Sequence, residues 1–285
     1  MLKTSLIKKK EDFHFTNEIP QTDNINANAR LWIQPDGTVF KQYVVFNDIT
    51  KNNMHIISQI SKIKRLKHIK QLALPLQIVC EGNDIVGYTM PHCGGITLEN
   101  AIHLGQYSPE SVLAAFVSLA EVINKLPGNI RIGDLHGENV LVETNGKIHI
   151  IDLDGFSICP QYTMTCPISC LYDYVMIRGM KKYWCHERRL IISKDTDIFC
   201  FFLLFLKWIM QSSTLEVYSP EEVFRYFAYL EQVGFPGEII DMINRLFEEK
   251  QNFLIPKLLK KIDLSALEKY KYKSFVEARH SACLQ

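Results

Sequence analysis

The chain has 285 residues, 47% of them hydrophobic and 22% charged, and a formal net charge of +1. That length and composition describe an ordinary globular protein with a sizeable core, as one large domain or two lobes. The near-zero charge gives no long-range reason to expect nucleic acid as a partner.

The opening, MLKTSLIKKKEDF, carries basic residues but no apolar run after them, so no secretory signal is expected. Eight cysteines without a paired framework point to reduced thiols in a cytoplasm, with a host cytosol as the alternative compartment. ARLWIQ and TVFKQYVVF flank Pro35-Asp36-Gly37 and predict a hairpin. Met54, Ile57, Ile60, Ile63 and Leu66 then recur at helical spacing and predict a helix within 50–70. Lys62, Lys64, Arg65, Lys67 and Lys70 cluster there, read as a solvated face. LALPLQIVCEGNDIVGYTMP reads as two strands about a Glu-Gly-Asn-Asp turn. Residues 1–91 therefore form a small α+β unit of strand, strand, helix, strand and strand.

Residues 92–285 have a helical texture. SPESVLAAFVSLAEVINKLPG starts with Ser108 as N-cap and Pro109 at the first helical position, and stops at Pro127-Gly128. NVLVETNGKIHIID is a hairpin with Asn145-Gly146 at its turn. Residues 157–190 carry no clear pattern, and a loop of that length in a compact domain is functional or disordered. Cys159, Cys166, Cys170, Cys185 and His186 fall within it, but without a CxxC pair they make a poor zinc site. Helices are expected at 195–211, 220–233 and 237–250, with a lysine-rich helical end at 254–280. The apolar run IFCFFLLFLKWIM at 198–210 is too short to span a bilayer, contains Lys207, and reads as a buried core helix.

The densest chemistry lies in GDLHGENVLVETNGKIHIIDLDGF, residues 133–156. Asp134 precedes the hairpin, Asn139 stands at its entry and Asp152 at its exit. A hairpin brings its ends together, so an oxygen-rich pocket suited to Mg²⁺ is expected, with Asp134 placed to accept or orient a hydroxyl proton. The competing interpretation is a polar turn whose Asp and Asn cap backbone groups.

This segment resembles the catalytic and metal-binding loops of the protein kinase-like superfamily. Asp134 and Asn139 match its Asp-x4-Asn pattern, and Asp152 matches its metal-binding Asp. Lys41 in TVFKQY matches the strand lysine that pairs with ATP phosphates. GYTMP resembles the strand leading into the adenine-binding hinge, which implicates Thr89, Met90 and His92. YWCHERR, with Glu187, resembles the motif that closes the activation segment. KDTDIFCFFLLF resembles the buried helix whose leading Asp, here Asp197, braces the catalytic loop. The resemblance implies a bilobal protein kinase-like fold, with a β-rich N-lobe at 1–91 and a larger, mainly helical C-lobe at 92–285. It implies ATP and Mg²⁺ as cofactors, Asn139 and Asp152 as metal ligands, Asp134 and His136 as catalytic residues, and a Ser/Thr hydroxyl of a protein as substrate.

Several departures bear on that expectation. TDNINANA at 22–29 stands where the family has a glycine-rich loop. Helix 50–66 contains no Glu to pair with Lys41, and Gln59 is the nearest candidate. Ile132-Gly133 replace the family's His-Arg, so no anchor for a phosphorylated activation loop is expected. His136 stands where many protein kinases carry lysine; GDLH is closer to aminoglycoside and choline kinase-like enzymes and to atypical bacterial kinases. His136 would bond a phosphate or the loop carboxylate, or simply brace the loop. Asp154 is an extra carboxylate, read as the cap of the next turn or as a metal ligand. A small-molecule kinase and a pseudokinase scaffold remain as alternatives to an atypical Ser/Thr protein kinase.

Overall fold

The computed structural model describes residues 7–15, 17–19, 28–158, 162–163, 190–191, 194–210, 230–232, 234–241, 259–260 and 262–265. The architecture is mixed α+β. The chain divides into two compact units, one of Met1–Gly94 with His149–Phe156, the other of Gly95–Ile148 with Ser157–Gln285.

In the first unit, β1 (Ile7–Lys9), β2 (Ala29–Ile33), β3 (Thr38–Tyr43), β4 (Gln77–Glu81) and β5 (Asp84–Pro91) make a sheet in the order β1-β4-β5-β3-β2, with α1 (Asp48–Ile60) between β3 and β4 in sequence. Both expected hairpins form. Their turns place Gly37 and Gly82 at positive φ, where a side chain would be strained. Strand β1 is an addition, pairing parallel with β4 across seventy residues of sequence. One face of the sheet holds Phe13, Trp32, Phe40, Val79 and Val86, with the Phe13 and Phe40 rings 4.6 Å apart. A register shift between Val79 and Cys80 leaves Val86 without a partner on β4. Such a bulge turns Val86 towards the Phe40 face.

Helix α1 begins with a reciprocal cap: Asn47 Oδ1 accepts from the Thr50 N–H at 3.0 Å, and Thr50 Oγ1 accepts from the Asn47 N–H at 2.9 Å. It buries Met54, Ile56, Ile57 and Ile60, each side chain contributing about 1.5–3 kcal/mol. The helix ends at Ile60 instead of running on toward residue 70. Ser61 donates its hydroxyl to the Ser58 carbonyl at 3.0 Å, which competes with helical bonding. The crowded cations after it disfavour further α-helix, and Lys64–His68 forms a separate 3₁₀ turn with only Leu66 buried. Strand β3 likewise stops at Tyr43, short of the expected Phe46, and Val44, Val45 and Phe46 are exposed.

The second unit opens with β6 (Ile96–Thr97), α2 (Leu98–His103) and α3 (Pro109–Lys125), followed by β7 (Ile130–Arg131) and β8 (Val140–Val142); all but the first residue of β9 (Ile148–Ile150) belong to the first unit. Strands β6 and β8 pair antiparallel. Helix α3 starts at Ser108, whose Oγ accepts from the Ser111 N–H. It stops where Leu126 turns extended ahead of Pro127, as a residue before proline must. After β10 (Ser157–Ile158), which pairs with β7, β11 (Tyr162–Thr163) pairs with β12 (Leu190–Ile191). The intervening stretch, including Glu187 and four of the five proposed zinc ligands, lies outside the described residues, as does Cys159.

Helix α4 (Lys194–Met210) is the expected core helix. Phe201, Phe205 and Trp208 surround Phe116 of α3 at ring distances of 5.7, 5.3 and 5.5 Å. Of the later expected helices, 230–232 and 237–241 are described and helical; within the expected end at 254–280, Leu259 is helical, Lys260 is a turn, Ile262 and Asp263 are in no regular element and Leu264–Ser265 lie in a 3₁₀ turn. Among the described residues, no helix is long and apolar enough to cross a membrane.

Gly87 of β5 lies beneath the Phe40 ring: a Cβ there would stand 2.1 Å from the Lys41 carbonyl oxygen and 2.7 Å from that ring. Gly87→Ala should therefore destabilise the protein by about 2–3 kcal/mol, read as a lowered urea midpoint. An unchanged midpoint would contradict this packing of β3 on β5.

Candidate functional site

In the first unit, alternation along β3 places Lys41 and Tyr43 on one face, away from Phe40, and the register sets Lys41 opposite Tyr88 of β5. Lys41 is 8% exposed, so its ammonium needs anions nearby. Two carboxylates supply them. Asp152 Oδ1 accepts a hydrogen bond from Lys41 Nζ, and Asp154 Oδ1 accepts another at 2.8 Å.

Asp154 is 1% exposed and is the centre of the cluster. Its Oδ1 also accepts from the Tyr88 hydroxyl at 3.2 Å. Its Oδ2 accepts from the Tyr43 hydroxyl at 2.7 Å and from Asn53 Nδ2 of α1 at 3.4 Å. Four donors thus meet a group with about four acceptor sites. Burial alone would push this carboxyl up; the Lys41 ammonium and the hydrogen bonds outweigh it and hold Asp154 below its ordinary value. Burial and the neighbouring Asp154 charge push Tyr43 and Tyr88 well above the usual phenol range, so both remain donors.

The backbone at Asp152 is itself unusual. It is the only non-glycine residue at positive φ among the described residues, at 62°, a conformation Asp tolerates better than most side chains. The Asp152 carbonyl accepts from the Gly155 N–H at 3.1 Å, and the Leu153–Gly155 turn follows. Asp152 is about one-third exposed, so its carboxylate reaches solvent while Asp154 does not.

Two sequence expectations change here. Asp154 serves as the buried acceptor for β3, β5 and α1 side chains rather than as a turn cap. Gln59 bonds His55, and the α1 side chain in the cluster is Asn53. Asn53 carried a signal: it precedes Ile56, Ile57 and Ile60 by three, four and seven residues, so it lies on the buried stripe of the helix. Tyr43 shares the face of Lys41 by its two-residue spacing, whereas Tyr88 needed the strand register.

The three residues expected at a nucleotide-binding hinge divide. Thr89 and Met90 are buried in β5, with the Thr89 carbonyl accepting from the Leu76 N–H at 2.8 Å. Thr89 Oγ1 is buried with no hydrogen-bond partner among the described residues. His92, just beyond the strand, is exposed.

In the second unit, the loop before Asp134 is held by Asp197 in the first turns of α4. The carboxylate of Asp197 accepts from the backbone N–H groups of Ile132 and Gly133, each at 2.9 Å. Asn139 Nδ2 donates to the Asp134 carbonyl at 3.1 Å, so the amide oxygen is the end left to face elsewhere. Asp134 is partly exposed, and its Oδ1 lies 3.5 Å from His136 Nε2.

Burial pushes His136 down to about 4; Glu99 pulls it up and Lys207 pushes it further down. The imidazole is therefore neutral at ordinary pH, and its contact with Asp134 is not an ion pair there. Glu99 of α2 meets His103 Nε2 at 2.8 Å and Lys207 of α4 at 3.9 Å. Gly137 packs so closely on it that a Cβ would stand 2.4 Å from Glu99 Oε2. Among the described residues, no group of three or more His, Cys, Asp or Glu side chains is gathered to hold a metal ion.

No protein-family model matches the chain, and no curated protein matches it.

Burial raises the Asp197 carboxyl from 3.8 to about 6, against the lowering effect of its two N–H bonds and of Arg131. The unfolded chain then releases this proton at lower pH than the folded chain does. Asp197 therefore favours folding most below pH 4, and that contribution fades as pH rises to about 6, by about 3 kcal/mol in all. Asp197→Asn should lower stability overall yet remove this slope from the pH 4–6 range of urea midpoints. A slope that persists in the variant would place its origin elsewhere.

Proposed function

We propose that the chain is an atypical Ser/Thr protein kinase of bilobal, protein kinase-like fold, moving the terminal phosphoryl group of ATP to a protein hydroxyl. The observation that carries this is the pairing of Lys41 with Asp152, two residues 111 positions apart that the motif resemblance singles out independently. The grip of Asp197 on the 132–133 backbone supports it, because a fixed loop is what an oriented catalytic Asp134 requires.

The donor chemistry fits Mg²⁺, which usually binds through one or two carboxylates and substrate phosphates rather than a dedicated protein cage. Asp152 has a solvent-reaching carboxylate of which Lys41 takes one oxygen, and Asn139 has its amide oxygen turned from the Asp134 carbonyl. When bound, Mg²⁺-ATP supplies the phosphoryl group and spreads its developing charge. The motif resemblance assigns Asp152 and Asn139 to the cation and Lys41 to the phosphate oxygens. Asp134 orients the attacking hydroxyl and takes its proton. His136, neutral and 3.5 Å from Asp134, steadies that carboxylate or offers one N–H to a phosphate oxygen. The backbone from Thr89 through His92 is the candidate adenine edge.

Scattered cysteines suit a reducing cytosol as the place of reaction. A pseudokinase is the second reading, favoured by the absence of glycine from 22–29.

Phosphate transfer from γ-labelled ATP with Mg²⁺, to the protein itself or to lysate proteins, decides between them. Asp134→Ala should lower transfer by about 10²-fold or more. Asp134→Asn should lose transfer yet keep Mg²⁺-ATP binding, and Asp152→Ala should lose both. Full activity in Asp152→Ala would sink the site assignment; a wild-type chain that binds Mg²⁺-ATP but labels no protein would leave a small-molecule kinase awaiting its substrate, and one that binds no nucleotide would leave the pseudokinase scaffold.

A further inference from the structure

Helix α1 has no glutamate to hold the strand lysine, yet Lys41 is buried and cannot be left without a lasting anion. Asp152 is a poor choice for that duty. It is partly exposed, and under the proposed reaction its carboxylate is needed by the cation. Asp154 has the opposite properties. It is buried, and both of its oxygens are occupied by donors from β3, β5 and α1.

We propose that Asp154 is the positioning residue for Lys41, a buried counter-ion that holds the ammonium in place while Asp152 is released to the metal, with Tyr43, Tyr88 and Asn53 fixing the Asp154 carboxylate. This rests on the phosphoryl-transfer reading and adds to it a division of labour between two acids two residues apart. The alternation of the turn makes the division possible: Asp152 at positive φ points its carboxylate to the solvent side, and the Leu153–Gly155 turn carries Asp154 beneath α1. Asn53 stands on α1 as an uncharged donor, so the charge resides on the turn rather than on the helix.

The arrangement has a consequence for α1. In a kinase whose lysine is held from the helix, moving the helix outward withdraws the anion. Here the anion arrives from the turn, and the helix contributes a single bond at 3.4 Å. Displacement of α1 would weaken the Asp154 site without removing the counter-ion of Lys41.

The test is equilibrium binding of a fluorescent ATP analogue with Mg²⁺ to the full chain, together with steady-state transfer. Asp154→Asn should weaken nucleotide binding by about 10- to 100-fold, with the loss appearing in KM for ATP as well as in kcat. The exchange variant Asn53→Asp with Asp154→Asn keeps the same atoms in the cluster and moves the charge to α1. It should recover a substantial part of that loss, which a merely structural role for Asp154 would not produce.

Should Asp154→Asn fold poorly, Lys41→Met with Asp154→Asn removes both buried charges. If Asp154 acts through Lys41, the pair should bind nucleotide no worse than Lys41→Met alone. Wild-type affinity in Asp154→Asn overturns the proposal, as does an additive further loss in the double variant. A wild-type chain that binds no Mg²⁺-ATP overturns the phosphoryl-transfer reading itself, so the two failures are distinguishable.

Discussion

The first unit depends on an ammonium group buried inside a β-sheet. An ion taken out of water costs several kcal/mol, and its attraction to a buried partner repays this only when the remaining bonding positions are filled. For the Lys41–Asp154 pair that condition is met: Lys41 also bonds Asp152, and the Asp154 carboxylate accepts from Tyr43 on the same strand as Lys41, Tyr88 on the neighbouring strand and Asn53 on the helix. Apolar residues of the same volume would stabilise such a site as well or better. A charge cluster that is no stability optimum is better explained by what the charges do, and perturbed buried acids and bases concentrate at functional sites.

The second unit solves a related problem with a different sign. Asp197 is as deeply buried as Asp154, yet its carboxyl is pushed up while that of Asp154 is held down. The difference is the cation. Asp154 has an ammonium at 2.8 Å, whereas Asp197 has two peptide N–H groups and only the more distant influence of Arg131. One acid fixes a side chain and the other fixes a stretch of backbone. Each gives a rigid support to a neighbour, Asp154 to the Lys41 side chain and Asp197 to the backbone just before Asp134.

Local chemistry made much of the fold legible. Asp36-Gly37, Glu81-Gly82-Asn83-Asp84 and Asn145-Gly146 announce their turns because few other pairs accept the required backbone angles. Ser108 and Pro127 bound α3 for equally local reasons. Asp197 was legible only through the motif around it. What could not be read depended on partners distant in sequence. The parallel pairing of β1 with β4 leaves no local mark, and neither does the bulge at Val86. The kinase-like pattern points to α1 for a counter-ion of Lys41, and the second acid of DLDGF looks, from its neighbours alone, like part of a local turn. Only the folded chain shows that residues 113 positions apart share one hydrogen bond. The end of α1 is hidden for a simpler reason: an apolar period continues through Ile63 and Leu66, but Ser61 and the cations beside them break the backbone pattern first.

The first unit is discontinuous, and this shapes its birth on the ribosome. Its sheet strands and α1 are synthesised by residue 94, but the segment His149–Phe156 follows only after more than fifty further residues have been made. Until then Lys41 has neither Asp152 nor Asp154, and the Tyr43 and Tyr88 hydroxyls have no acceptor between them. The nascent sheet must keep that face hydrated or loosely packed, then expel water when the turn arrives. Emergence of Asp154 from the exit tunnel is thus the event that lets the first-made part of the chain close.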